Sequence, residues 1–77
     1  MTREEWKNIF GDNLNSILQE RGMSQRQLSI DSGVSQAMIS DYINKRQIPG
    51  LQAAINMAYA LDIDVSDLID FDERIEW

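Results

Sequence analysis

Hydrophobic residues recur near the start of the chain at helical spacing. Intervals of four, four, three and one separate the apolar residues Trp6, Phe10, Leu14, Ile17 and Leu18. These intervals put all five side chains on one face of a helix and leave the intervening polar residues on the other face. Acidic residues before this run and Gly22 after it favour a first helix over about residues 4–20.

Capping residues divide the next segment into two short helices. Ser24 precedes a helix that we expect over residues 25–31, and Gly33 follows that helix. Ser35 precedes a third helix that reaches about Asn44. Because so few residues separate the second and third helices, we expect the two to cross steeply.

The rest of the chain predicts two more helices. Pro49 marks a linker, and helical spacing of apolar residues returns over residues 51–61. A last short helix is expected next to Ser66. No segment of useful length alternates between apolar and polar residues as a strand does, so the pattern predicts an all-α bundle of five helices.

The joint between the second and third helices has the features of a helix-turn-helix. Ser29 is small enough for two helix axes to approach, and Gly33 can adopt the positive φ angle that the turn needs. Apolar side chains at Leu28, Val34 and Ile39 can fill the angle between the helices. The outside of the third helix carries polar residues at Gln36, Ser40, Asp41 and Asn44.

Size and composition narrow the functions open to this chain. Its 77 residues make one small domain, and it contains neither cysteine nor histidine. Disulfides, thiolate metal ligands and the commonest general base are therefore absent, and we expect no enzyme activity, no metal and no cofactor. No apolar run approaches the ~20 residues that span a membrane. Residues 1–10 lack the features of a signal peptide, so we expect a cytoplasmic protein with no membrane partner.

The net charge of −6 is distributed unevenly along the chain. Residues 1–47 carry six basic and six acidic groups, whereas residues 48–77 carry one basic and seven acidic groups. Between Arg21 and Pro49, four basic residues outnumber two acidic residues. Because salt screens charges beyond about 8 Å, a partner senses the local charge rather than the total. The segment from Arg21 to Pro49 is therefore a candidate for binding nucleic acid.

The order of residues from Ser24 to Ile69 resembles the Cro/phage-repressor (XRE) family of helix-turn-helix DNA-binding proteins. The matching elements are SQRQLS, GVSQ, ISDY, the basic linker NKRQIP and the Ala-rich LQAAINMAYAL. The resemblance implies a lambda-repressor-like five-helix bundle whose third helix enters the major groove of double-stranded DNA. The chain departs from the family where Ser29 replaces a common alanine and Lys45 a common glycine. We expect Asn44 to adopt the left-handed conformation that ends the third helix.

The resemblance also implies two groups of DNA contacts. On the third helix, Gln36 can bond adenine, Ala37 can contact a thymine methyl group, and Asp41 can accept a hydrogen bond from cytosine. Ser40 completes this base-contacting group, and Asp41 can instead pair with Lys45 four residues later. Each of these residues can also be an ordinary solvated or capping side chain. Phosphate contacts are expected from Gln25, Arg26, Ser35, Asn44, Lys45 and Arg46.

The acidic C-terminal segment has two interpretations. Its apolar residues Phe71, Ile75 and Trp77 can pack back on the bundle near Trp6, or they can pack across a two-fold axis. Dimers read palindromic sites with recognition helices about 34 Å apart. We therefore expect a homodimer that involves the fifth helix and the tail.

Together these features predict one domain over residues 1–77. Its helix-turn-helix core lies at about 24–45, and its acidic C-terminal helix and tail lie at 62–77. We expect a sequence-specific transcriptional regulator, a repressor of phage or mobile-element origin that binds a palindromic operator. The alternative is an acidic protein-interaction module on the same bundle, such as an antirepressor or antitoxin component.

Overall fold

The computed structural model describes residues 2–69, and within this range it confirms the all-α fold with five helices and no strand. The predicted bounds of the first four helices differ from the observed bounds by one residue at most. The helices are α1 (Arg3–Arg21), α2 (Gln25–Ser32), α3 (Gln36–Ile43), α4 (Leu51–Leu61) and α5 (Val65–Leu68).

Side-chain caps fix where α1, α2 and α3 begin. The side-chain oxygens of Thr2, Ser24 and Ser35 each accept a hydrogen bond from the backbone N–H three residues later, at 3.2, 3.0 and 3.1 Å. Each bond satisfies an N–H group that has no partner inside the helix, and replacing such a cap by alanine typically costs about 1 kcal/mol. The N-terminus of α4 differs, because its N-cap is Gly50 and no side chain bonds its first turn.

Left-handed residues end the helices, as predicted for two of them. Gly22 follows α1 with a φ angle of 61°, and Gly33 follows α2 with a φ angle of 75°. Asp62 follows α4 in the same conformation, with a φ angle of 56°. Glycine adopts this region without steric cost, whereas a residue with a Cβ does so at a cost of roughly 1–2 kcal/mol.

The end of α3 corrects one expectation. Asn44 keeps a φ angle of −85°, and the left-handed residue is instead Lys45, with a φ angle of 63°. The N–H of Lys45 donates to the carbonyl of Tyr42 at 3.1 Å, and the N–H of Arg46 donates to the carbonyl of Asp41 at 2.8 Å. This two-bond ending requires the left-handed residue one position beyond the C-cap, which makes Asn44 the cap and Lys45 the strained residue.

Contacts among all five helices enclose one core. α1 packs against α3 and α5, α2 packs against α3 and α4, and α4 packs against α5. The core formed by these contacts is apolar, and its burial provides most of the driving force for folding. It consists of Phe10, Leu14, Leu18, Leu28, Val34, Ile39, Tyr42, Ala54, Met57, Ala58, Leu61 and Leu68.

Gly11 allows α1 to approach the end of α3 closely. A Cβ atom at Gly11 would lie 2.6 Å from the carbonyl oxygen of Tyr42 and 3.1 Å from the Cγ of Lys45. The first distance is shorter than Cβ atoms tolerate, and the opposing atom belongs to the backbone, which cannot rotate away. The glycine in the middle of α1 therefore serves packing, although it lowers the intrinsic stability of the helix.

Tyr42 anchors α3 to α1. Its side chain is buried, and its ring meets that of Phe10 edge to face, with centroids 6.0 Å apart and an interplanar angle of 84°. Aromatic pairs prefer this geometry. Burial raises the pKa of the Tyr42 phenol above its ordinary value of 10.0, and the charge of Asp41 raises it further. The neutral phenol therefore belongs to the folded core.

A polar contact joins the two ends of the described chain. The side-chain amide of Asn13 on α1 donates to the carbonyl of Leu68 at 3.1 Å, across 55 positions of sequence. Leu68 itself is fully buried.

The predictions made for Phe71, Ile75 and Trp77 fall outside the residues that the structure describes. Over residues 2–69, no helix is both long enough and apolar enough to cross a membrane.

The variant Gly11→Ala tests the close approach of α1 and α3. Alanine improves helix propensity by about 1 kcal/mol, but its methyl group would overlap the Tyr42 carbonyl oxygen. Because overpacking of this kind costs about 1–3 kcal/mol or more, we expect a net loss of unfolding free energy in urea. Ser16→Ala, at an exposed position of the same helix, is the control and should be neutral or stabilising. A Gly11→Ala variant as stable as the parent would contradict this packing.

Candidate nucleic-acid interface

One face of α3 points into solvent and carries the predicted base-contacting residues. Gln36 and Ala37 are exposed at the start of the helix, and Ser40 and Asp41 are partly exposed one turn later. Successive helical residues are about 100° apart, which places these four side chains opposite the buried core residues of α3. The structure thus brings the four together on one surface; that they contact bases stays a prediction.

The N-termini of α2 and α3 lack the acidic residues that usually stabilise a helix start. Neither helix has an acidic residue in its first turn, whereas α1 has Glu4 and Glu5 there. The first turn of α2 instead carries Arg26, an exposed cation that opposes the helix dipole. Positive potential therefore accumulates at both helix starts, which is the arrangement that attracts an anion.

Besides Arg26, two other predicted phosphate-contacting residues lie at these helix starts, and they differ in how exposed they are. Gln25 is partly buried as the first residue of α2. Ser35 is exposed, and its hydroxyl oxygen accepts the capping bond from the N–H of Met38 at 3.1 Å. A hydroxyl that accepts one bond can still donate its own proton. The capping bond therefore leaves the Ser35 hydroxyl able to donate to a phosphate oxygen.

Lys45 is held by an acidic residue of α1. Its Nζ lies 2.7 Å from a carboxylate oxygen of Asp12, and its side chain is 39% exposed. The left-handed backbone of Lys45 and its packing against Gly11 direct the side chain back along α1. Lys45, a predicted phosphate-contacting residue, is thus at the surface. A phosphate group would have to compete with Asp12 for its ammonium group.

Arg46, and not Lys45, is the partner of Asp41. A guanidinium nitrogen of Arg46 lies 3.3 Å from a carboxylate oxygen of Asp41. This corrects the expected pairing of Asp41 with Lys45 at four residues' distance. The reversal of the chain at the left-handed Lys45 brings Arg46 back over the last turn of α3, where Asp41 is within reach. The Arg46 side chain remains 66% exposed.

Asn44 completes the end of α3. Its side-chain amide donates to the carbonyl of Ser40 at 2.8 Å and lies 3.2 Å from the Ser40 hydroxyl. These bonds fold the amide onto the last turn, where it adds a second hydrogen bond to a carbonyl that already accepts from the backbone N–H of Asn44 at 2.9 Å. In the free protein Asn44 is therefore a capping residue, and its predicted phosphate contact would require the amide to turn outward.

Two apolar residues on the helix-turn-helix are exposed. Ile30 on α2 is 66% exposed, and Met38 on α3, whose apolar side chain favours packing in the core, is 42% exposed. Met38 lies at the border between the buried and exposed faces of α3, where helical spacing alone does not assign a side. A helical projection centred on Ile39 and Tyr42 would have placed Met38 at this border.

The surface carries hydrogen-bond donors that are suited to binding. Within residues 2–69, no group of three or more acidic, histidine or cysteine side chains is placed to hold a metal ion. What the surface offers is a set of amide, hydroxyl and guanidinium donors on a short helix and the loop after it. Such donors match phosphate oxygens and base edges.

Comparison with known proteins identifies the fold of this surface. The family model described as Helix-turn-helix (HTH_3) matches residues 14–68, which is well over half of the chain. The match includes α2, α3 and the linker that follows. Among curated proteins, none matches this chain.

Solved structures with similar folds include three proteins of bacterial origin. The restriction-modification controller protein C.AhdI from Aeromonas hydrophila is 26% identical, with a TM-score of 0.77 over 80% of this chain and 94% of that one. An HTH_3 family transcriptional regulator from Vibrio cholerae is 22% identical, with a TM-score of 0.84 over 87% of this chain and 38% of that one. The hypothetical transcription factor NHTF from Neisseria is 22% identical, with a TM-score of 0.79 over 90% of this chain and 79% of that one.

These comparisons confirm the predicted resemblance and fold class. They favour the DNA-binding interpretation over the acidic protein-interaction module, and they point to a regulator rather than an enzyme. At 22% identity, the last two structures show the fold alone.

Two substitutions of Lys45 test the strained end of α3. Lys45→Gly and Lys45→Ala both remove the ion pair with Asp12, but only glycine relieves the left-handed backbone. We therefore expect Lys45→Gly to be more stable than Lys45→Ala by about 1 kcal/mol. Thermal or urea unfolding measures the difference.

The neighbouring Gln47 supplies the matched control. It is exposed and its φ angle is not positive. Gln47→Ala should therefore be at least as stable as Gln47→Gly, the reverse order of the pair at Lys45. Equal stability of the two Lys45 variants would contradict the left-handed assignment.

Proposed function

Because the chain belongs to the helix-turn-helix family HTH_3 and is a DNA-binding transcriptional regulator, we propose that it is a repressor that reads a specific duplex operator. The solvent-exposed face of α3, with Gln36 and Ala37 at its start, carries this proposal. In the proposed complex α3 lies in the major groove, and the N-terminus of α2 meets the DNA backbone.

Each residue on the outer face of α3 has a role in the proposed readout. Gln36 donates to and accepts from an adenine edge, and Ala37 contacts a thymine methyl group. Ser40 bonds a base edge one turn later. Asp41 accepts from a cytosine amino group, and because its carboxylate repels phosphate, it also disfavours binding in a wrong register.

The phosphate contacts come from both sides of α3. Gln25 and Arg26 at the start of α2, together with Ser35, bond one stretch of backbone. Asn44, Lys45 and Arg46 bond another stretch beyond the end of α3. The acid-free N-termini of α2 and α3 and the exposed Arg26 support this arrangement, because they leave positive potential uncompensated in the free protein.

We also propose a homodimer on a palindromic operator. An exposed apolar stripe on α4 supports self-association: Leu51 is 74%, Ile55 is 42% and Tyr59 is 87% exposed, at intervals of four residues. Together with α5 this stripe is the proposed dimer surface. Two-fold symmetry would place the two copies of α3 about 34 Å apart, which is one turn of DNA.

The regulatory role is proposed on the likeness to a controller protein. C.AhdI is a restriction-modification controller, and the 26% identity over most of both chains supports a comparable regulatory role here. Repression by occupying a promoter requires no further domain. We also propose that the protein has a phage or mobile-element origin. We propose a cytoplasmic location for it, because the operator would be found there.

Selection of bound sequences from a random duplex pool tests this function. A palindromic winner with half-sites one helical turn apart, bound with a steep salt dependence, is the expected outcome. Failure of folded protein to enrich any sequence would overturn the proposal. Enrichment of a single half-site without symmetry would support the proposed DNA binding but would refute the proposed dimer.

The variant Gln36→Ala tests base readout on the selected operator. Loss of a bidentate contact should reduce discrimination at one base pair of each half-site by about 1–3 kcal/mol. Binding to unrelated DNA should change little. Competition binding against operators substituted at each position measures this, with Gln19→Ala, exposed on α1, as the control. Unchanged discrimination at every position would show that Gln36 does not read bases.

The variant Asp12→Asn tests whether Lys45 contacts phosphate. Removing the carboxylate frees the Lys45 ammonium, so affinity at low salt should rise by the value of an exposed ion pair, about 0.2–1 kcal/mol or up to about fivefold. Glu20→Gln changes the net charge equally at an exposed site on the same helix. If both variants raise affinity equally, Lys45 is not a phosphate contact.

A further inference from the structure

An apolar groove lies beside the first turn of α4. α1 contributes Trp6 and Phe10 to its lining, and α4 contributes Leu51 and Ala54. The linker before α4, together with α5 and the residue after it, completes the lining, and every lining residue in the described chain is apolar. The groove has a volume of about 400 Å³. An apolar cavity of about 150 Å³ already holds a benzene ring, so the groove has room for a large aromatic side chain.

A large aromatic side chain stands exposed on the same helix. Tyr59 is 87% exposed, more than any other large hydrophobic side chain of the described residues. A tyrosine ring buries its apolar faces well in a groove while its hydroxyl stays in water at the rim. Eight residues of helix, about 12 Å, separate Tyr59 from Leu51. The ring of Tyr59 therefore does not reach the groove of its own chain, and it is not among the lining residues.

Two-fold symmetry brings Tyr59 of one copy to the groove of another. Leu51, Ile55 and Tyr59 form a ridge at intervals of four residues, and such ridges interdigitate in the commonest class of helix packing. In an isologous interface centred on Ile55, the two copies of α4 run in opposite directions. Leu51 and Tyr59 are each four residues from Ile55, so Tyr59 of one copy lies opposite Leu51 of the other. Leu51 is also a wall of the groove.

Charge favours the same alignment. α4 begins after Gly50 with no side-chain cap and no acidic residue in its first turn, and the exposed Asp62 follows its other end. The antiparallel alignment places Asp62 of one copy beside the helix start of the other, where a carboxylate interacts favourably with the helix dipole. The two Asp62 carboxylates are then about 20 Å apart along the helices. At that distance their mutual repulsion is screened.

We propose that Tyr59 of a second copy of this chain fills the groove, so that each copy supplies one tyrosine and one groove. The inference rests on the homodimer proposed above and names the contact that holds it together. Transfer of the ring from water into an apolar groove is the source of affinity. The lining residues lie outside α2 and α3, so the contact forms without DNA.

Sedimentation of the full chain without DNA tests the contact. Tyr59→Ala should raise the dissociation constant of the dimer by at least about thirtyfold, as truncation of an aromatic anchor does. Tyr59→Phe keeps the ring and should dissociate like the parent. Ile30→Ala is the matched control, because it also removes an exposed apolar side chain, but from α2. This control should leave the dissociation constant unchanged, and circular dichroism checks that each variant retains its helices.

A second substitution tests the antiparallel alignment. Asp62→Asn removes the carboxylate and keeps a residue that tolerates the left-handed backbone. It should weaken the dimer at low salt and have less effect at high salt. Glu20→Gln, at an exposed position of α1, changes the net charge equally. Equal weakening by both variants would refute the alignment.

Tryptophan fluorescence locates the contact, because Trp6 lines the groove. The chain has two tryptophans, so Trp77→Phe makes Trp6 the only one. In this background, association should shift the Trp6 emission to shorter wavelength and reduce its quenching by acrylamide. Tyr59→Ala should lack both changes, even at concentrations high enough to restore the dimer.

These measurements separate failure of the contact from failure of the dimer. A dimer that survives Tyr59→Ala, or whose formation leaves Trp6 emission unchanged, would overturn the contact and keep the dimer. A parent that stays monomeric at every concentration would refute both. Trp6 emission that remains at the short wavelength after dilution to the monomer would show that the groove is filled from within the same chain, which would also overturn the proposal.

Discussion

The contact between Gly11 and the last turn of α3 is the constraint on which the rest of the structure depends. It brings the backbone of Tyr42 against α1, so the angle at which α3 leaves the bundle is set by backbone atoms rather than by adaptable side chains. The edge-to-face pair of Phe10 and Tyr42 reinforces the same approach, because Phe10 is the residue next to Gly11. The exposed face of α3 is consequently presented on a rigid support, which is what a binding surface needs.

The acidic total charge and the DNA-binding surface are compatible because the charges are local. Lys45 and Arg46 each rest on a carboxylate in the free protein, at 2.7 and 3.3 Å. If these two residues bond phosphate as proposed, the phosphate replaces those carboxylates, and the net electrostatic gain on binding is smaller than it would be for two unpaired cations. In that case non-specific attraction to DNA is weaker, and the proposed base contacts of α3 carry relatively more weight.

Local sequence signals predicted most of the fold, and contacts between distant segments account for the rest. The caps at Thr2, Ser24 and Ser35 and the glycine stops depend on residues within one helical turn, so they were readable from the chain. The ion pair of Lys45 with Asp12 joins residues that only the tertiary fold brings together. The left-handed Lys45 likewise escaped prediction, because Asn44 has the better intrinsic preference for that conformation and the bonds that close α3 decide otherwise.

The order in which the helices pack has a consequence for local opening. α1 packs against α3 and α5, and α2 packs against α3 and α4. Each of these two helices therefore has a packing partner that is not its neighbour in the chain. No pair of neighbouring helices contains a core of its own. Detaching α1 would uncover Leu14 and Leu18 and remove one of the two helices that support α3 in the same event. We therefore expect that α3 does not unfold as an independent unit, and that the amide hydrogens of α1 and α3 exchange with solvent through one shared opening.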